Sequence, residues 1–277
     1  MPNYICTTCG VQYANSDSPP ERCPICEDAR QYVNWKGQEW TTLEQLRAEH
    51  SNVIQPVDTN LTGIGTEPKF AIGQRALLVQ TPQGNVLWDC ISLVDSATVE
   101  AIAAKGGISA IAISHPHFYA AMVEWSHAFD GAPIYIHAAD RGWVMCPDPA
   151  IVFWEGKTHQ LSEDITLIFC GGHFAGGTVL HWASGADGRG ALLTGDIIQV
   201  IPDRRYVSFM YSYPNLIPMS PEAVSGIVEA VQPFSYDRIH GGWWEYRVLK
   251  DAKASVAHSA ARYIGAIKGE WSPARVP

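Results

Sequence analysis

Short apolar runs rich in β-branched residues recur along this chain, and most of them end in glycine or a polar turn. The clearest is Ile108-Ser109-Ala110-Ile111-Ala112-Ile113, which is too short for a buried helix and predicts a buried strand. Before it, Ala97 to Lys105 followed by Gly106-Gly107 predicts a helix with a glycine stop. After it, Tyr119 to Phe129 carries Met122, Trp125 and Phe129 at the spacing of a helix's core face. Lys69 to Ile72, Arg75 to Thr81 and Asn85 to Asp89, separated by Gly73 and Pro82-Gln83-Gly84, predict a hairpin series that opens a sheet. Further strands are expected at Pro133 to His137, Leu167 to Phe169, Ala191 to Thr194 and around Ile239, with helices from Pro221 and over Ala252 to Lys268. Strands alternating with helices make this an α/β chain.

The ends of these strands carry the candidate chemistry. Ser114-His115-Pro116-His117 follows the Ile108 run, and two imidazoles one residue apart in such a turn can converge on one ion. Cys170-Gly171-Gly172-His173, Thr194-Gly195-Asp196 and His240-Gly241-Gly242 each bring one more metal-capable side chain to a strand end. Strand ends of α/β sheets are where ligands usually bind. A lone His-x-His pair is as often two loop histidines, but four separate arrivals favour a shared site.

In this order the motifs resemble the metallo-β-lactamase superfamily, specifically its hydrolase-type members, over roughly residues 60 to 277. The resemblance implies a four-layer αββα sandwich over residues 41–277. It also implies a first metal position of His115, His117 and His173 with Asp196, and a second of Asp196 and His240. Asp89, at the end of Val86-Leu87-Trp88, matches the family's early aspartate and would orient a ligand histidine; a structural aspartate is the rival reading. One departure matters: where the family has Asp-His after the second histidine, this chain has Tyr119-Ala120. Two protein ligands make a weak zinc site, so a single ion, zinc or another divalent transition metal, is expected in the hydrolase site. Asp196 would then handle the proton of a water activated by the metal, His240 would serve a leaving group or an oxyanion, and Tyr119 would be a hydrogen-bond donor.

At the amino end, Cys6-Thr7-Thr8-Cys9 and Cys23-Pro24-Ile25-Cys26 can point four thiolates at one ion, in a closed tetrahedral site over residues 1–40. So short a piece has little core, and the ion would carry much of its stability. The stretch resembles the rubredoxin-like domain of rubrerythrins in Cys-x-x-Cys-Gly and in Ser18-Pro19-Pro20-Glu21-Arg22-Cys23-Pro24-Ile25-Cys26, with Glu27 where a glycine often stands. Sulfur ligands take zinc, making a structural zinc ribbon, or iron, making a redox centre; zinc is the favoured reading. Trp35 and Trp40 are expected to pack the ribbon onto the larger domain, and Thr41 to His50 to form a short capped helix.

Composition narrows the function. A net charge of -9 with no basic run argues against a nucleic-acid partner, and no apolar run approaches the ~20 residues of a membrane span. Seven cysteines without a regular disulfide pattern, and no apolar leader after Met1-Pro2-Asn3-Tyr4, lead us to expect a cytoplasmic setting. The aromatic, irregular stretch Val200 to Met219 is placed to line a pocket, where Arg204 or Arg205 would meet an anion or stay solvated. The expectation is a metal-dependent hydrolase of a small ester, lactone, amide, thioester or phosphoester. A catalytically degenerate binding or regulatory protein, and a redox protein if the ribbon holds iron, are the alternatives. The expected partner is a small-molecule substrate; a homo-oligomer, or a protein contact through the ribbon, stays open.

Overall fold

Seven strands form the first of two large sheets in the computed structural model, which describes residues 1–270. In chain order they are Ser51–Asp58, Leu61–Glu67, Arg75–Val79, Val86–Trp88, Ala110–Ala112, Ile134–His137 and Ile151–Trp154. The first four pair antiparallel and the last three join parallel. The second sheet runs Thr158–Gln160, Ile165–Phe169, Thr178–Trp182, Ala191–Gly195, Arg238–Gly241 and Arg247–Val248. Its one parallel pair, Ala191–Gly195 with Arg238–Gly241, is joined by a crossover that includes the helix Pro221–Val231.

Strand alternation builds the layers. Leu77, Val79, Trp88, Leu167, Leu180 and Leu193 fill the space between the sheets. Their neighbours Leu78 and Leu87 turn to the helices Ser96–Ala103 and Met122–His127, while Ile168, Val179 and Leu192 turn to Pro221–Val231 and Ala252–Ile267. Burial on both faces is why these strands read as continuous apolar runs. The result is the expected four-layer αββα arrangement.

The opening of the first sheet differs from the expectation. Lys69 to Ile72 is a turn, and the sheet instead begins with the hairpin Ser51–Asp58 and Leu61–Glu67. Its outer strand is partly exposed, and its apolar residues Val53, Ile54 and Val57 are broken up by Gln55 and Pro56, so it shows no continuous apolar run. In its partner, a Cβ on Gly63 or Gly65 would come within 2.6 or 2.8 Å of the Trp244 ring, which is why glycine stands there.

The amino-terminal ribbon is a small sheet of Tyr4–Cys6 and Trp40–Thr42 with a turn of helix at Pro24–Glu27. Thr42 caps the helix Leu43–Glu49 in a capping box with Gln45. Cys6, Cys9, Cys23 and Cys26 share one apolar cluster with Phe118, Tyr119 and Ala120 of the larger domain. Gln12 N–H donates to the Ala120 carbonyl and Ala14 N–H to that of Met145, each at 3.0 Å. Trp40 packs edge-on to Tyr13 within the ribbon at 4.9 Å and lies against the cluster that the ribbon shares with the larger domain, whereas Trp35 is 100% exposed and packs on neither. None of the described helices is long and apolar enough to cross a membrane.

Candidate metal centres

The strand Ala110–Ala112 ends short of the site, and His115 is reached in extended backbone before Pro116–Phe118 form a single 3₁₀ turn. That turn carries His117 back beside His115, with ring centroids 5.1 Å apart. His173 arrives on two left-handed glycines, Gly171 and Gly172, whose φ values of 64° and 79° suit glycine alone at low cost. Its ring lies 4.8 Å from His115 and 5.4 Å from His117. One ligand nitrogen from each of the three lies within 4.8 Å of the other two. Asp196 follows Gly195, where a Cβ would sit 2.6 Å from Ser114 Oγ, so glycine is needed for the two turns to meet. Asp196 Oδ1 is 3.1 Å from His115 Nε2 and 3.9 Å from His173 Nε2.

These four atoms have something in common. The Nε2 atoms of His115, His117 and His173 and Oδ1 of Asp196 are all buried and lack any hydrogen-bond partner. Orphaned polar atoms are costly in a protein interior, and here they converge, which is the signature of a place for a cation. The opposite nitrogens are engaged: His115 Nδ1 is 3.0 Å from Ser114 Oγ, and His173 Nδ1 is 3.0 Å from the Met210 carbonyl. Burial, followed by the neighbouring His173 ring, holds the pKa of His115 and His117 well below the usual histidine range, so both are neutral and able to ligate. Burial likewise raises the pKa of Asp196.

A second group of ligands is formed by Cys6, Cys9, Cys23 and Cys26, all at most 1% exposed. Cys6 and Cys26 sulfurs are 3.6 Å apart, and Cys9 and Cys23 3.7 Å. Tyr13 Oη and Gln38 Nε2 each reach a sulfur at 3.1 Å, on Cys23 and Cys6 respectively. The four sulfurs suit a tetrahedral ion with no open position.

The two remaining expected site residues, His240 and Tyr119, have polar partners of their own. His240 is fully buried, but its Nε2 faces Asp58 Oδ2 at 3.4 Å, beside Arg238, and it is not part of the histidine group. Along the strand Arg238–Gly241, residues 238 and 240 point to one side, and Asp58 occupies that side. Tyr119 directs its hydroxyl to the Asp140 carbonyl at 3.4 Å, inside the apolar cluster under the ribbon. Asp89 does stand behind the site, accepting from both the N–H and the hydroxyl of Ser114. Of the loop 200–219, Met210 and Tyr213 reach the centre, the latter donating to the Asp196 carbonyl at 2.9 Å. Arg204 and Arg205 are exposed and pair with Glu245 and Asp203.

Comparison with known proteins bears on the family and the fold. No protein-family model matches the chain. The uncharacterized protein YmaE of Bacillus subtilis strain 168 is 50% identical over 272 residues, covering 98% of both chains. The chain belongs to the YmaE family. Since the match spans nearly the whole chain, the ribbon is part of what YmaE shares. Among solved structures, VMB-1 superposes with a TM-score of 0.60 at 14% identity, over 78% of this chain and 98% of its own. The metallo-β-lactamase DIM-1 gives 0.58 at 13% over the same shares, and SMB-1 gives 0.53 at 18% over 79% and 97%. At these identities the likeness is one of fold: this YmaE-family chain has the metallo-β-lactamase fold, with a four-cysteine cluster at its amino end.

Proposed function

We propose that the chain is a metal-dependent hydrolase acting on a small ester, lactone, amide, thioester or phosphoester. The observation that carries this reading is the convergence of three buried, unpartnered imidazole nitrogens, on His115, His117 and His173, with Asp196 Oδ1 beside two of them. Three imidazoles that leave a fourth corner open are the donor set of catalytic rather than structural zinc, and they suit zinc or another divalent transition metal. One ion fits the histidine centre, because Tyr119-Ala120 supply no ligand and His240 faces Asp58. The ribbon's four thiolates would hold a separate ion, zinc in preference to iron, as a closed structural site.

What a bound divalent ion supplies here is Lewis acidity toward water and toward the substrate's carbonyl or phosphoryl oxygen. The remaining work belongs to side chains. Ser114 fixes the tautomer of His115, and the Met210 carbonyl that of His173, so that both present Nε2. Asp196 stands beside them with a free carboxylate oxygen, in place to hold or accept a proton from attacking water. Tyr213 pins the Asp196 backbone, which keeps that oxygen aimed at the histidines.

The test uses purified chain with zinc or manganese restored and a panel of esters, lactones, thioesters and phosphodiesters. Turnover should be present in the parent and lost in His117→Ala, while the ribbon keeps its own ion. A metal-loaded parent that turns over nothing on the panel would favour the degenerate binding protein.

A further inference from the structure

The ribbon reaches the histidine centre itself. Arg30, four residues past Cys26, lays its guanidinium on Phe174 with Cζ 3.8 Å from the ring centroid, and lies within 5.2 and 5.5 Å of Trp143 and Tyr211. Asp28 accepts from its Nε and Nη2 at 2.5 and 2.9 Å, and its Nη1 donates to the His173 carbonyl at 3.4 Å. Phe174 in turn touches all three imidazoles: stacked on His115 at 5.3 Å, edge-on to His117 at 4.9 Å and to His173 at 5.3 Å. Nothing but one aromatic ring separates the ribbon's arginine from the ligand histidines.

The loop after Asp196 closes the circuit. Asn215 Nδ2 donates to the carbonyls of Ala29 and Gln31 at 2.9 and 2.8 Å, gripping the ribbon on either side of Arg30. The same loop offers the Met210 carbonyl to His173 Nδ1. His173 is therefore held at its carbonyl by the ribbon and at its ring by a loop that itself holds the ribbon. Residues 27–31 have almost no apolar core of their own beyond the cysteine cluster, so an ion on the four thiolates would add to what holds Arg30 in place.

We propose that filling the four-cysteine ribbon and filling the histidine centre are coupled, with Arg30 as the positioning residue that carries the coupling. A loaded ribbon holds Phe174 and His173 in the ligating arrangement; an empty one releases them. By reciprocity, an ion on the histidines tightens the ribbon's hold on its own ion by the same factor. The proposal rests on reading the histidines as a metal centre.

Cobalt(II) titration of the full chain reads both sites, because only the ribbon gives strong thiolate-to-cobalt absorption. In Cys26→Ser, cobalt at the histidines should bind about 10- to 100-fold more weakly, the usual scale for losing a partner that orients a ligand. That variant risks unfolding more than the ribbon, so the decisive one is Asp28→Asn with Arg30→Ala. It removes both charges of the ion pair, leaving the net charge near the centre unchanged, and keeps all four cysteines. Its thiolate bands should match the parent while the histidine affinity falls by a similar factor. Arg30→Lys, which keeps the charge but not the planar fork, should fall with it. Equal histidine affinities in parent and double variant, within about twofold on the scale of that loss, would make the ribbon an independent appendage and end the proposal. A parent that shows thiolate bands but no cobalt at the histidines would remove the hydrolase reading, and the coupling with it.

Discussion

Ser114 places two donors on a single oxygen, its backbone N–H and its hydroxyl both reaching Asp89 Oδ1 at 2.8 Å. Having given its proton to Asp89, the hydroxyl can only accept from His115 Nδ1, which stands 3.0 Å away. The proton of His115 is thereby fixed on Nδ1 and the lone pair on Nε2. Asp89 makes this possible from a left-handed backbone, φ 60°, a conformation that aspartate tolerates better than most residues.

Removing that hydroxyl is the cleanest test of the relay. In Ser114→Ala the ring of His115 is free to turn, and metal affinity at the histidines should drop about 10- to 100-fold. Equilibrium dialysis against zinc, with the ribbon's ion as an internal reference, measures it. Unchanged affinity would mean that packing by Phe118 and Phe174, and not Ser114, orients the ring.

Asp58 is a stability residue by the same kind of reasoning. Both of its oxygens accept from Arg238 Nη1 at 2.7 Å, and His240, the first cause, together with Arg238 holds its carboxyl well below the usual range. Asp58→Ala should cost about 2 kcal/mol by urea denaturation, less than a fully stranded charge because Asp187 still pairs with Arg238 Nη2. With its folded pKa depressed, the contribution of Asp58 is present above the ordinary carboxylate pKa and is lost as pH falls through and below it.

Asp140 behaves oppositely. Burial pushes its carboxyl up to about 6, although Gly176 N–H donates to it at 2.8 Å. Between the ordinary value of 3.8 and about 6 the folded chain keeps a proton that the unfolded chain has lost, so stability falls as pH rises across that window. The total is about 3 kcal/mol, from 1.36 kcal/mol per unit. Asp140→Asn keeps an acceptor for Gly176 and removes this slope. Its urea midpoint should therefore gain on the parent's between about pH 4 and pH 7; parallel profiles would contradict the assignment.

Trp35 should matter little. Fully exposed on the ribbon, it contributes no packing, and Trp35→Ser should leave thermal stability within about 0.5 kcal/mol of the parent. The same substitution at Trp40, which meets Tyr13 beside the cysteines, should cost more.

Most of the fold and the histidine centre were legible in the sequence because each feature is local. A strand buried on both faces is an apolar run, and a ligand at its end follows glycine, as His173 and Asp196 do. The side on which His240 points was less visible, although a period of two already sets it with Arg238 and away from Gly241. Edge strands such as Ser51–Asp58 carry no continuous apolar run to read. Arg30, Asn215 and Phe174 were missed for another reason. Arg30 meets His173 across 143 residues, Asn215 meets Gln31 across 184, and Phe174 meets His115 and His117 from a separate loop without periodicity, so only folding brings them together.

The ribbon's dependence on distant partners has a consequence for how the chain is made. Its last thiol, Cys26, leaves the ribosome well before His173 and before the Trp143, Phe174 and Tyr211 rings that receive Arg30. At ~5–20 residues per second that interval is on the order of ten seconds. On the reading proposed above, a nascent chain gathers its four thiolates on an ion first, and the contacts to Ala120, Met145 and Asn215 complete the ribbon as the imidazole site forms.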